Sequence, residues 1–371
     1  MKFSMWKAVC RLVAVWFLLI SSSFAATLYV GTCHKASYAT ISAAVAAAPA
    51  GSIVDVCPGT YPEQVFITQA LTLQGITAKN TDRATITAPI PASGGPPTWQ
   101  FVADPDGGAA MVAPQIFVSS PVGAVTIRNL TIDDSAETTS PACLDAGYWH
   151  TIAIFVQESS GTITGVSTLG QGKNSGCGIG IRAFAAGPAT LTLTNSFLQD
   201  AHQSGVVLEG AGLTVNVSQN VLDLTSNNYG ISSTDVSGTI SSNFVTMEGD
   251  IIADFGSGGP VTFSDNVLRA AAPGCSAAML FERKAQVTGN KIEGCLTGIA
   301  FLSGSTNAVS LKNNLVVDAT IGIDLGCDSN VTLTGNAVND VYEGIDNVPI
   351  SMSVAGIMLD NVTTAKTGIC P

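Results

Sequence analysis

Thr192-Leu193-Thr194-Asn195-Ser196-Phe197-Leu198 and Thr332-Leu333-Thr334-Gly335-Asn336-Ala337-Val338 are two statements of one phrase. Each alternates apolar with hydroxyl residues, reaches an asparagine and resumes with apolar residues. The asparagine recurs as Asn195, Asn220, Asn243, Asn266, Asn290, Asn314 and Asn336, in steps of 25, 23, 23, 24, 24 and 22 residues. A loop follows each copy, and then often Gly-Ile or Gly-Val. A fixed period in the low twenties means one supersecondary unit stacked on itself, each coil burying its apolar edge against its neighbours. The two-residue alternation makes the units strands. The reading is an all-β solenoid of parallel coils, one domain over 26–371, with roughly ten to twelve coils at this repeat length.

Residues 1–25 read as a signal peptide. Lys2, Lys7 and Arg11 form a basic start, Val13 to Ile20 is unbroken apolar sequence, and Ser23-Phe24-Ala25 offers small residues for cleavage after Ala25. The apolar stretch is short for a bilayer span, so an uncleaved anchor is the weaker alternative. No later segment is long and apolar enough to cross a membrane. The mature chain is expected to be secreted or periplasmic, and monomeric.

Eight cysteines remain after Cys10 is removed, an even number that suits disulfides in an exported chain. Stacking brings residues about one coil apart together. Cys275 with Cys295 fits one coil and Cys327 with Cys370 about two. Cys33 with Cys57 would staple the N-terminal end, and Cys143 with Cys177 is left by elimination. A metal site is the alternative, but no Cys-x-x-Cys or His/Cys cluster supports one, and no cofactor is expected. The formal charge is −12. Such a balance argues against nucleic acid and anionic membrane surfaces, which need a basic face. A neutral or esterified glycan fits it more easily than an acidic one, which would need Ca²⁺ or a local basic cluster.

Tyr38 to Ala48 has helical periodicity and stops before Pro49, which suits a cap over the first coil within 26–57. Two stretches interrupt the rhythm, Pro89 to Pro114 and Asp133 to Trp149. Both read as long loops, and loops of that length are commonly functional. Their aromatics Trp99, Tyr148 and Trp149 are candidates to stack on sugar rings. Residues 349–371 leave the repeat and read as a C-terminal cap tied by Cys370.

These features together resemble the right-handed parallel β-helix of the pectin-lyase-like superfamily, across nearly the whole mature chain. The opening, Tyr38-Ala-Thr-Ile-Ser-Ala-Ala-Val and Pro58-Gly59-Thr60-Tyr61-Pro62-Glu63-Gln64-Val65, is similar to that of pectin methylesterases. The resemblance implies that Asn195 to Asn336 form an internal ladder at the turn between the second and third strands of the family's coil. It also implies that the strand after Gly-Ile faces the glycan. The catalytic segments depart from the family. Asp254-Phe255-Gly256 only loosely echoes the methylesterase Asp-Phe-x-x-Gly, Gly-Arg-Pro-Trp is absent, and no polygalacturonase element is present.

Alternation along the Gly-Ile strands sets an expected outward column of Gln157, Arg182, Glu209, Thr234, Asp254, Glu282, Leu302 and Gly326. Coils ~4.8 Å apart would make Asp254 and Glu282 next-door carboxylates and set Glu209 about 10 Å from Asp254. Such spacings approach those of glycoside hydrolysis, where repulsion raises one pKa for a general acid. Asp254 and Glu282 are therefore the candidate acid/base or nucleophile pair, with Glu209, Arg182 and His202 in support. The plainer reading of the column is a solvated strand face, where charges belong. The function expected is an exported protein that binds a polysaccharide and is a candidate to cleave or modify it. The alternative is a non-enzymatic structural or adhesion solenoid.

Overall fold

The structure is a computed structural model, and it describes residues 25–35, 37–77, 83–90, 98–105, 111–119, 123–136, 149–173, 177–224, 229–271, 275–302, 308–328, 330–354 and 356–370. Each coil contributes to three parallel sheets in turn. In one coil Ala189–Thr194 lies in the first sheet, Phe197–Gln199 in the second and Ser204–Glu209 in the third. The first sheet stacks twelve strands, from Thr27–Val30 to Val331–Thr334. The second begins at Gly59–Pro62 and the third at Val65–Ile67. Asn336–Asp346 and then Ile357–Lys366 run through both of these without a break.

Register is held because like residues stack on like. In the third sheet Ile154, Ile181, Val206, Ile231, Ile252, Met279, Ile299 and Ile323 follow one another, all fully buried. A one-residue slip would turn this whole row outward, so burial fixes the pairing. The recurring glycine before the row also has a steric cause. A Cβ at Gly205 would lie 2.7 Å from the Gly230 carbonyl oxygen and 2.9 Å from Leu222, because the strand bends tightly over the second sheet there.

The turn from first to second sheet carries the asparagine ladder. Asn243 Oδ1 accepts from the Asn220 backbone N–H at 3.1 Å and from Asn220 Nδ2 at 3.0 Å. The same pair of bonds links Asn243 to Asn266, Asn266 to Asn290, Asn290 to Asn314 and Asn314 to Asn336. Each amide thus satisfies buried polar groups that neither sheet reaches. The first expected rung is displaced by one residue. Ser196 occupies the ladder position, donating its N–H to Asn220 Oδ1 at 3.0 Å. Asn195 is exposed and left-handed, at φ 51. Its column continues as Gln219, Ser242 and Asp265, also with positive φ.

The expected helix is Ile41–Ala47, with Ile41, Ala44 and Val45 buried against the first coil. Glu63 caps it, accepting from the Ile41 and Ser42 backbone N–H groups at 2.8 Å each. A carboxylate at a helix start offsets the unpaired N–H groups and the local dipole. Within the expected C-terminal cap, Ile357–Lys366 adds a further coil on Asn336–Asp346, and its Met358 and Leu359 are exposed. Disulfides join Cys33 to Cys57, Cys275 to Cys295 and Cys327 to Cys370. Cys177 is disulfide-bonded too, and its expected partner Cys143 lies outside the described residues, as do residues 1–24 of the expected signal peptide 1–25. No helix among the described residues is long and apolar enough to cross a membrane.

Candidate functional site

Three outward rows run along the third sheet. One contains Phe66, Phe117, Phe155, Arg182, Val207, Ser232, Ala253 and Leu280. A second contains Gln157, Phe184, Glu209, Thr234 and Phe255. The third contains Ile152, Ile179, Ser204, Tyr229 and Asp250, of which Ile179, Ser204 and Tyr229 stand just before a glycine. Arg182 and Glu209 therefore do face outward, in neighbouring rows, and the structure brings them together.

Arg182 Nε donates to Glu209 at 2.9 Å. Its two terminal nitrogens donate to both oxygens of Asp104, each at 2.9 Å, the bidentate geometry that guanidinium and carboxylate favour. The guanidinium lies 5.4 Å from the Phe155 ring centroid. Asp104 comes from the first long loop, where Val102–Ala103 adds a short antiparallel strand to Met111–Val118. The loop thus covers Arg182, whose side chain is only 4% exposed. Trp99 on the same loop is half-buried. Trp149 pairs through its backbone with Met111, while its side chain, and Tyr148 altogether, lie outside what is described.

Asp254 does not belong to this face. It pairs with Ser233 and Phe281, one residue out of phase with the Glu209–Thr234–Phe255 row, and points into the solenoid with no exposed surface. Ser233 Oγ and Arg283 Nε donate to its Oδ1 at 2.6 and 2.7 Å. Arg283 also donates to the Val236 and Gly259 carbonyls at 2.7 and 3.0 Å. Burial raises the Asp254 pKa, while Arg283 and Ser233 work against that rise. Glu282 is exposed. The expected Asp254–Glu282 pair is therefore split between the interior and the surface. His202 is half-buried, at the opposite end of its strand from Glu209. Seven residues of strand put it roughly 20 Å away.

The face holds groups that the sequence reading missed. Tyr229 and Asp250 are direct neighbours in their row. The Tyr229 and Phe255 rings meet edge to face, with centroids 5.6 Å apart. Burial raises the Tyr229 pKa, and the charges of Asp250 and Glu282 raise it further. Tyr229, Asp250, Phe255 and Glu282 thus form one cluster beside the Arg182 site. Asp250 Oδ1 accepts from the Ala277 backbone N–H at 2.8 Å. The residue before the glycine was the available signal for Tyr229, which precedes Gly230-Ile231, but not for Asp250, which precedes Ile251.

A recess of about 550 Å³ lies at the corner between second and third sheets, beside the Cys275–Cys295 disulfide. Asp318 and Asp340 line it from left-handed turns, without any aromatic or basic partner. Among the described residues no group of His, Cys, Asp and Glu is placed to hold a metal.

Residues 183–354 match the family model described as right handed beta helix region. No curated protein sequence matches the chain. Among solved structures, a lacto-N-biosidase from Eubacterium ramulus aligns over 93% of this chain and 67% of its own, at 10% identity and TM-score 0.55. A family 28 exopolygalacturonase from Yersinia enterocolitica aligns over 93% and 78%, at 10% identity and TM-score 0.48. The mannuronan C-5 epimerase A-module from Azotobacter vinelandii aligns over 89% and 94%, at 15% identity and TM-score 0.42. Likeness at these identities shows the fold alone. The chain folds as a right-handed parallel β-helix, a solenoid of about 12 turns.

Proposed function

We propose that this is an exported polysaccharide-binding β-helix that holds its ligand on the outer face of the third sheet. One observation carries the reading. Tyr229 packs edge to face on Phe255 within the influence of the Asp250 and Glu282 charges, on the same sheet face that carries the Arg182–Glu209 pair. Rings take the apolar side of a pyranose, and carboxylates and guanidinium take its hydroxyls. Fold alone does not deliver the reaction. Cleavage or modification, if the chain performs either, falls to Asp250 and Glu282, since Asp254 is sealed inside. The disulfides suit an oxidising compartment.

A second reading, a structural or adhesion solenoid, is favoured by the closure of Asp104, Arg182 and Glu209 on one another. A panel of neutral, esterified and acidic polysaccharides, with and without Ca²⁺, separates the two when binding and product release are both read. Binding that Glu282→Gln or Tyr229→Ala weakens supports the third-sheet face. No binding across the panel leaves the structural reading in place.

A further inference from the structure

The outer face of the second sheet carries an organised column that the third-sheet reading does not use. Its outward residues are Thr60, Thr85, Thr131 and Ser167, and then Phe197, Val221, Phe244 and Val267, in consecutive register. Four hydroxyls give way to four apolar residues. Phe197, Val221 and Phe244 are 37%, 40% and 38% exposed, so the apolar half forms a continuous lane open to solvent.

The lane is one residue wide. On one side run the left-handed turn residues Asn195, Gln219, Ser242 and Asp265, all exposed. On the other run Gln199, Asp223, Thr246 and Arg269. Each of these four coils thus presents an apolar centre between two polar edges, up to Lys291, which ends the apolar run. At the change from hydroxyl to apolar the surface dips into a notch of about 210 Å³. Arg83, Asn129, Ser167, Asn195 and Phe197 line it. Asn195 is free to serve there because Ser196 takes the ladder position.

We propose that this column is a binding track for an extended neutral glycan, with a sugar ring seated in the notch against Phe197. A pyranose is apolar on its ring face and polar at its hydroxyl edges, which is the pattern each of these coils repeats. The coil rise of ~4.8 Å is close to the advance of one sugar unit in an extended chain. Phe197 and Phe244, two coils apart, would stack on alternate rings. The flanking charges are of both signs, with Asp223 and Asp265 beside Arg269, so no acidic polymer is selected. A protein partner fits less well, because interface cores are broad apolar patches and not single-residue lanes. The track is independent of the third-sheet reading.

Calorimetric titration of the disulfide-bonded chain with cellohexaose, xylohexaose and mannohexaose tests it, with an oligogalacturonide as the acidic comparison. At least one neutral hexasaccharide is expected to bind. Phe197→Ala and Phe244→Ala should each weaken that binding about tenfold, as loss of a stacked ring implies. Phe244→Tyr should retain it, and Asn216→Ala, exposed on the first sheet and away from both faces, should leave it unchanged. Asp223→Ala, a rail residue outside the core, provides a second readout should a phenylalanine variant melt early by circular dichroism. Binding lost with Arg182→Ala but untouched by the lane variants would move the ligand to the third sheet and overturn the track. So would the absence of neutral-oligosaccharide binding at millimolar concentration, or a dimer in sedimentation that Phe244→Ala dissolves.

Discussion

Two arginines in this solenoid are gripped by carboxylates, and the third sheet lies between them. Arg283 is inside, bound to Asp254 and to the carbonyls of Val236 and Gly259. Arg182 is outside, bound to Asp104 and Glu209 and stacked on Phe155. The inner arginine divides its donors between the buried Asp254 carboxylate and main chain from neighbouring coils, which suits a fixed brace. The outer arginine is met by side chains, one of them on a loop, which a ligand's oxygens are able to replace. Residue type is the same in both; one step of strand phase separates architecture from recognition.

The inner cluster should break most expensively. Arg283→Met strands the Asp254 carboxylate among apolar residues, and removing one partner of a buried pair costs about 3–5 kcal/mol. Denaturant unfolding at neutral pH measures it. Asp254→Asn should cost less than half as much, because burial already disfavours the charged carboxylate and Arg283 keeps its two carbonyls. The sign with pH follows from the raised pKa. The Asp254 contribution to stability is complete below its ordinary 3.8 and is lost as pH rises through the raised value. The Arg283→Met deficit should therefore shrink on acidification, and a deficit that grows would contradict the burial argument.

The same inside–outside contrast divides the asparagines. Asn266→Ala removes a side chain that bridges Asn243, Asn290 and the Ile240 carbonyl, and should cost about 2–4 kcal/mol through stranded buried partners. Asn195→Gly, in a left-handed exposed turn, should cost a few tenths of a kcal/mol or stabilise slightly. Equal losses at the two positions would return Asn195 to the ladder.

That pair also marks how far the sequence could be read. The period was legible because every coil repeats a buried apolar row and an asparagine turn, and stacking tolerates little drift in either. The phase was harder. Two adjacent turn positions accept asparagine for different reasons, one for its amide and one for its tolerance of positive φ, so Asn195 aligned as readily as Ser196. In the third sheet each strand exposes several residues after the glycine. Arg182 pairs with Val207 and not with Glu209. Merging the two rows into one carried Asp254, which lies between them, to the wrong side. Asp104 was out of reach altogether, because only folding of the loop brings it to Arg182, 78 residues away.

On the outer side the effects are smaller and fall on recognition. Arg182→Ala should cost about 1–2 kcal/mol of stability, since its partners are partly solvated and regain water. Asp104→Ala should cost less, leaving Arg182 paired with Glu209. If the face holds a glycan, Asp104→Ala should bind the polysaccharide picked out by the panel as well as the parent or better, while Arg182→Ala binds it worse. Identical binding in both variants would mark the outer cluster as a brace like the inner one.

The least costly probe is the Tyr229 phenol. Burial, and then Asp250 and Glu282, hold its pKa above the usual 10.0. Its contribution to stability is complete below that value and is lost as pH rises through the raised one, since the folded state keeps the proton longer. Tyrosinate absorbance, read as the difference between parent and Tyr229→Phe, should therefore place this phenol later than a free tyrosine. Glu282→Gln removes one of the two charges without touching the core and should move the titration part of the way back. Were Glu282→Gln to leave it unmoved, Glu282 would not share a site with Tyr229. The carboxylates of the outer face would then stand as separate surface charges with no common ligand.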